Sequence, residues 1–197
     1  MRETINWGII GCGHVTEHKS GPAFSKVEGS RLVAVMRRNA NLAEDYAQRH
    51  NVPKWYSNAD DLINDEEVDA IYVATPPGSH PEYAIQAMRA GKPVYVEKPM
   101  AATYAQCQEM LKVSEDTGVP LFVAYYRRTL PGFNKVKTLI EVGTIGKPPV
   151  VNIMLVRPAS EAEADTENPP WRVQPDLAGG GIFYDLGSHQ LDYLDYL

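Results

Sequence analysis

The sequence predicts an α/β fold, a doubly wound parallel sheet followed by the start of an α+β domain with a mainly antiparallel sheet. Three observations carry that prediction. Short apolar runs alternate with helix-period segments from Ile5 to Tyr125, joined by short connections. A glycine-rich turn follows the first apolar run at once. The run Pro93 to Val96 stops abruptly at Glu97-Lys98-Pro99, as a buried strand does where its carboxyl end opens into a crevice. The change of character after residue 124 divides the chain into 1–124 and an incomplete second domain, 125–197.

Composition sets the outer limits. The 197 residues are 44% hydrophobic and 22% charged, enough for a true core, and the net charge of −6 argues against nucleic acid or an anionic membrane surface as the main partner. No apolar run approaches the roughly eighteen residues of a membrane span. Met1 to Asn6 leads into a strand-like run without a secretory apolar region. Cys12 and Cys107 lie far apart in different contexts, which predicts free thiols and a reducing, cytoplasmic setting.

Taken in order, Ile5–Ile10 reads as a strand and Gly11-Cys12-Gly13-His14-Val15-Thr16 as a dinucleotide fingerprint. Gly11 permits the tight turn, and Gly13 lets backbone approach a pyrophosphate at a helix amino end. The third glycine is replaced by Thr16, so the pattern alone is also compatible with a plain strand-to-helix turn. A helical segment containing Gly21-Pro22 leads to the strand Arg31–Met36, which completes a βαβ unit. Arg37-Arg38 follow, where an acid usually binds the ribose 2′-hydroxyl of NAD. Guanidinium forks suit a 2′-phosphate instead, which favours NADP, the alternative being two solvated arginines.

Residues 39–51 have helical periodicity at Leu42, Ala43, Tyr46, Ala47 and His50. Trp55-Tyr56 reads as a brief strand, 59–64 as a short helix and Val68–Ala74 as a long strand. The rigid loop Thr75-Pro76-Pro77-Gly78 comes next. Ser79 is the expected N-cap of a helix with Pro81 in its first turn. His80 there would either touch a cofactor or face solvent. The helix ends at Gly91, and the next strand delivers Glu97-Lys98-Pro99. Thr103 and Gln106 have capping-box spacing, and the helix they open carries Cys107, Met110, Leu111 and Ser114 as far as Gly118. Leu121–Tyr125 is the last strand of this series.

Beyond it, Tyr126, Arg127 and Arg128 lie just past a strand end. Pro131 opens a helix with Phe133, Val136, Leu139 and Ile140, and Val150–Val156 reads as a strand. A long segment, residues 157–180, contains Trp171 and Arg172, which could stack on and hydrogen-bond a polyol or simply pack down the loop. Gly179-Gly180-Gly181 introduces a helix over 182–192, where Asp185 and His189 share a face one turn apart. A carboxylate beside an imidazole can fix its tautomer and raise its basicity, or be a buried structural pair. No third residue at convincing spacing supports a metal, and none is expected.

With fingerprint, proline loop, Glu97-Lys98-Pro99 and Asp185-x-x-x-His189 in this order, the chain resembles the glucose–fructose oxidoreductase / inositol dehydrogenase / rhizopine-catabolism (Gfo/Idh/MocA) family from about Ile5 to Leu197. That resemblance implies a Rossmann domain before a predominantly antiparallel sheet domain. It also implies NAD(P)-dependent oxidation or reduction of sugars, polyols or related compounds. By position, Gly11, Gly13, His14 and Val15 would bind the pyrophosphate and Arg37-Arg38 the adenosine ribose. Thr75, Pro76 and His80 would line the dinucleotide, with Glu97 and Lys98 on the nicotinamide side. Lys98, Asp185 and His189 match the catalytic positions, while Arg127, Trp171 and Arg172 are the expected substrate contacts. A lysine free in water, with a pKa of roughly 10.4, is a poor base at neutral pH. Desolvation and a cationic oxidised nicotinamide would make it a better proton carrier.

Family members continue for roughly another hundred residues or more, so the chain reads as partial, ending inside a helical pattern without a C-cap signal. The leading expectation is an NADP-preferring oxidoreductase (NAD possible) of a sugar- or polyol-like small molecule. It needs no nucleic acid or membrane, and full-length relatives would be homo-oligomers. The competing expectations are a non-catalytic NADP-binding or regulatory protein, or an inactive fragment of such an enzyme. A methyltransferase on the same fold fits poorly, because Arg37-Arg38 stands where an acid would hold the adenosine ribose.

Overall fold

The apolar runs of the first two-thirds of the chain become six strands: β1 (Ile5–Ile10), β2 (Ser30–Met36), β3 (Lys54–Tyr56), β4 (Ala70–Val73), β5 (Val94–Val96) and β6 (Leu121–Val123). The computed structural model describes residues 4–197, so the reading of Met1 to Glu3 lies outside the described residues. All strand pairs are parallel, in the order β3-β2-β1-β4-β5-β6. Such strands are covered on both faces, which explains why they read as unbroken apolar runs rather than alternating ones. Ile10, Val33, Ile71, Val73, Val94 and Val96 point to one core layer with Leu62, Met88 and Met110. Ile9, Leu32, Val35 and Tyr72 point to the other, with Phe24 and Tyr46.

Five helices form those layers in this unit: α1 (His14–His18), α2 (Ala40–His50), α3 (Ala59–Ile63), α4 (His80–Arg89) and α5 (Tyr104–Thr117). Local chemistry sets their ends. The Asn39 side chain accepts from Leu42 N at 3.2 Å to start α2, and Thr103 and Gln106 form the reciprocal capping box of α5. Ser79 precedes α4 but does not cap it. Its hydroxyl instead turns back to Thr75 Oγ1 at 2.8 Å. The single helical segment expected around Gly21-Pro22 is two pieces, α1 and a 3₁₀ turn, Gly21–Ser25. Glycine is required where the second piece begins, since a Cβ at Gly21 would lie 2.1 Å from the Thr16 carbonyl oxygen.

The chain divides into two units, Met1–Val123 and Ala124–Leu197. The second is helical: α6 (Pro131–Glu141), α7 (Glu161–Ala164), α8 (Pro175–Ala178), a π-helical turn over Phe183–Gly187 and α9 (Ser188–Tyr196). Aromatic and polar contacts join α6 to α9. Phe133 and Tyr193 meet edge to face at 4.8 Å, Tyr193 Oη donates to the Phe133 carbonyl, and Lys137 Nζ donates to the Tyr196 carbonyl. The strand read at Val150–Val156 is not formed. Among the described residues this unit has no strand, and Val150, Met154 and Val156 are each about four-fifths exposed. A strand is stabilised by a ladder partner, which local sequence does not supply.

Candidate functional site

In this strand order the direction of winding reverses between β1 and β4, and ligands of open α/β sheets bind outside the carboxyl ends of the strands at that point. The residues following β1, β2, β4 and β5 are the ones the sequence singles out. Gly11 leaves β1 with φ +91°, and a Cβ there would stand 2.6 Å from Thr75 Cγ2 and 2.9 Å from Thr75 N. Glycine is therefore required for the fingerprint turn to lie against the proline loop. Gly13 is different. Its φ is extended at −152°, and the nearest atom to an added Cβ is 3.8 Å away. No neighbour within the chain demands a glycine there, so the bare backbone is open to a ligand that approaches closely.

Thr16, which replaces the third glycine, is fully buried. Its hydroxyl accepts from Gly13 N and donates to Gly13 O, both at 2.9 Å. Gly13 O accepts from Thr16 N and Glu17 N, which leaves the amides of His14 and Val15 as the donors of this first turn. A second tie fixes α1 to α2. Glu17 is bound by Arg49 Nη2 at 2.6 Å and His50 Nε2 at 2.7 Å, and its carboxyl is held down at about 2, chiefly by the Arg49 hydrogen bond. Cys12 is fully buried, and burial pushes its thiol up to about 11 against the pull of the Arg37 charge, so it is a packing residue.

Arg37 and Arg38 are exposed just past β2, and neither has an ion-pair partner among the described residues. Arg38 lines a cavity of about 380 Å³ together with Met36, Asn58, Asp60, Glu82 and Tyr83. The groups present fit a dinucleotide: an open glycine backbone, two first-turn amides and two guanidinium groups along one sheet edge.

After β5, Glu97 N donates to Val73 O at 2.9 Å, which keeps the Glu97-Lys98-Pro99 turn beside the end of β4. The Lys98–Pro99 peptide is cis. Glu97 Oε1 accepts from Tyr72 Oη at 2.5 Å, and Glu97 Oε2 lies 3.2 Å from Lys98 N. Lys98 itself is half-buried.

His80 corrects its expected place. It does not face solvent: it is fully buried, with Nε2 2.7 Å from Thr75 O and Nδ1 3.0 Å from Pro99 O. It thereby joins the proline loop to the turn that carries Lys98. A neutral imidazole donates from one nitrogen only, and burial, followed by the Lys98 charge, holds its pKa below the ordinary 6.5 while the facing carbonyls pull it up. The sign follows directly. With a lowered pKa the folded state binds fewer protons than the unfolded chain below pH 6.5, so acidification favours unfolding. His80→Phe, which keeps the ring and removes both nitrogens, should cost about 1–3 kcal/mol, because the carbonyl that accepts from the neutral ring loses its donor. It should also flatten the loss of stability as pH falls from about 6.5, the ordinary histidine value. Urea melts at several pH values would read both effects, and an acid profile parallel to the unaltered chain would refute the titration argument.

In the second unit, Asp185 sits in the π-helical turn with Oδ2 3.7 Å from Arg172 Nε. Arg172 also lies over the Trp171 ring at 4.6 Å, and Arg127 lies over Phe133 at 5.4 Å. His189 is buried, with Tyr125 and Tyr126 edge-on at 5.9 and 5.1 Å.

Tyr72 and Ser20 were not singled out from sequence. The available signal was a tyrosine amid the aliphatic run Ala70-Ile71-Tyr72-Val73, since a buried phenol needs a partner for its hydroxyl. Among the described residues there is no group of three or more His, Cys, Asp or Glu side chains able to hold a metal, and no helix long and apolar enough to cross a membrane.

Comparison with known proteins agrees with this geometry. Residues 5–125 match the model of the Gfo/Idh/MocA oxidoreductase family, NAD-binding Rossmann fold, and residues 133–197 match a Gfo/Idh/MocA C-terminal domain. An oxidoreductase, P35, from Formosa agariphila is 43% identical over 194 residues, covering 98% of this chain and 60% of the relative. Among solved structures, levoglucosan dehydrogenase in complex with NADH aligns with a TM-score of 0.79 at 29% identity, over 98% of this chain and 54% of that one. A 3-ketoreductase from Actinomadura kijaniata, in complex with TDP-benzene and NADP, aligns with a TM-score of 0.75 at 26% identity, over 92% and 54%. The chain thus spans between about half and three-fifths of these proteins' lengths.

Proposed function

The chain belongs to the Gfo/Idh/MocA oxidoreductase family and carries its NAD(P)-binding Rossmann domain, and we propose that it serves an NADP-preferring enzyme moving hydride between nicotinamide and a sugar, polyol or related carbonyl or alcohol. The observation that carries this reading is the convergence at the switch point. There the Gly11 turn packs on Thr75, and the Glu97-Lys98-Pro99 turn is tied to the same strand end and, through His80, to the same loop. The bound nicotinamide would supply the hydride acceptor or donor.

The chain's own residues do the rest. His14 and Val15 amides hold the pyrophosphate, Arg37 and Arg38 take the 2′-phosphate, and Thr75 and Pro76 lie along the dinucleotide. Lys98 polarises the substrate oxygen and shares its proton, while His189 exchanges that proton and Asp185 orients it. Trp171, Arg172 and Arg127 bind hydroxyls of the substrate. A sugar-like substrate is supported by the similarity to levoglucosan dehydrogenase. The reading extends to a cytoplasmic setting and to a homo-oligomer of the full-length protein, which light scattering on that protein would test.

Fluorescence titration of the chain with NADPH and NADH is the first experiment, followed by a screen of sugars and polyols at the nicotinamide absorbance band. NADPH should bind at least about tenfold more tightly, the value of one charge-assisted hydrogen bond. Equal affinities would remove the NADP preference, and no binding of either would remove the function.

A further inference from the structure

Glu97 is easily taken for a reacting group, yet both of its oxygens are engaged in holding the turn. Oε1 accepts from Tyr72 at 2.5 Å, and Oε2 lies 3.2 Å from the Lys98 amide. Tyr72 stands on β4, one strand over, and is fully buried, so its ring has no freedom to follow a moving partner. Its ring packs between Phe24 at 5.1 Å and Tyr95 at 5.3 Å. Its oxygen has a second neighbour, Ser20 Oγ at 2.9 Å, in the bend that follows α1.

A phenol carries one hydrogen. An ionised carboxylate can only accept, so Tyr72 donates to Glu97 and accepts from Ser20. Donation therefore runs from Ser20 to Tyr72 to Glu97, whose other oxygen accepts from the Lys98 amide. Burial and the adjacent Glu97 charge both push the Tyr72 phenol well above its ordinary range, which keeps the hydroxyl protonated as a donor.

We propose that Tyr72 is a positioning residue for Lys98: from inside the sheet it braces Glu97 and so joins the segment after the fingerprint helix to the turn that presents the lysine. This rests on the proposed role of Lys98 in hydride transfer. The brace lies below the crevice rather than in it, and it places the lysine relative to the pyrophosphate-binding turn without touching substrate or cofactor.

Tyr72→Phe is a clean test, because the ring that fills the core is retained and only the hydroxyl is lost. In the 197-residue chain, kcat should fall about tenfold, the worth of a hydrogen bond to a charged group. KM and the NADPH dissociation constant should stay within about twofold, since no cofactor contact is removed. A structural role alone would lower the melting temperature without that split between kcat and KM. Independently of activity, proton NMR should show a far-downfield, slowly exchanging hydroxyl resonance that vanishes in Tyr72→Phe and weakens in Ser20→Ala. Turnover equal to the unaltered chain, or NADPH affinity lost in proportion to kcat, would overturn the proposal. Should the chain bind NADPH and turn over no substrate, the functional reading fails on its own, and the hydroxyl resonance decides the brace: its presence supports it and its absence overturns it.

Discussion

Replacing Lys98 with methionine should lower turnover at least a hundredfold while NADPH affinity changes by no more than about threefold, within the 10²–10⁴ range ascribed to a positioned proton-transfer group. Methionine keeps the unbranched, flexible stem and so preserves packing in a half-buried position. What disappears is the head group proposed to polarise the substrate oxygen. The peptide geometry that holds the turn does not depend on that head group, since Glu97 N bonds Val73 O and His80 bonds Pro99 O. Cofactor binding should therefore survive. An equal fall in kcat and kcat/KM would mean that the lost interaction is made in the transition state. Stopped-flow measurement of nicotinamide absorbance under single turnover would separate chemistry from product release. Near-normal turnover would remove Lys98 from the mechanism and leave His189 as the group to test.

Much of the first unit was legible because its strands are buried on both faces, and an apolar run such as Val68–Ala74 can hardly be anything else when helices flank it. The observed strand is Ala70–Val73, the central part of that run. Thr103 announced its helix because capping chemistry is local. The misreadings share another cause, contacts between residues far apart in sequence. The solvent-facing alternative for His80 fails because its ring is buried against the carbonyl of Pro99, nineteen positions away. Gly21 opens the 3₁₀ turn after α1 at a point where a Cβ would meet Thr16 O and Tyr46 Oη, neither of which a local sequence pattern announces. Val150–Val156 has strand composition, yet composition does not provide a ladder partner. In the candidate site, residue types at strand ends were readable, whereas the side chains that brace them from within the core were not.

Substituting serine for both Arg37 and Arg38 should weaken NADPH about a hundredfold and NADH less than about threefold, since charge-assisted contacts worth about 2.8 kcal/mol together are lost only where a phosphate is present. The two arginines should not contribute equally. Arg38 shares its cavity wall with Asp60 and Glu82, whose carboxylates repel a phosphate and compete for the guanidinium. Arg37 does not line that cavity, and its charge is felt at Cys12 inside the fingerprint turn. Arg37→Ser alone should therefore account for most of the NADPH loss. Converting Glu82 to glutamine should modestly tighten NADPH by relieving repulsion. Raising the salt concentration should erode the NADPH advantage of the unaltered chain and leave the double variant nearly flat, because exposed charge pairs are screened. Equal losses for both cofactors in the double variant would sink the phosphate assignment. The cavity beside Arg38, with its two acids, would then be better matched to the ribose hydroxyls of NAD.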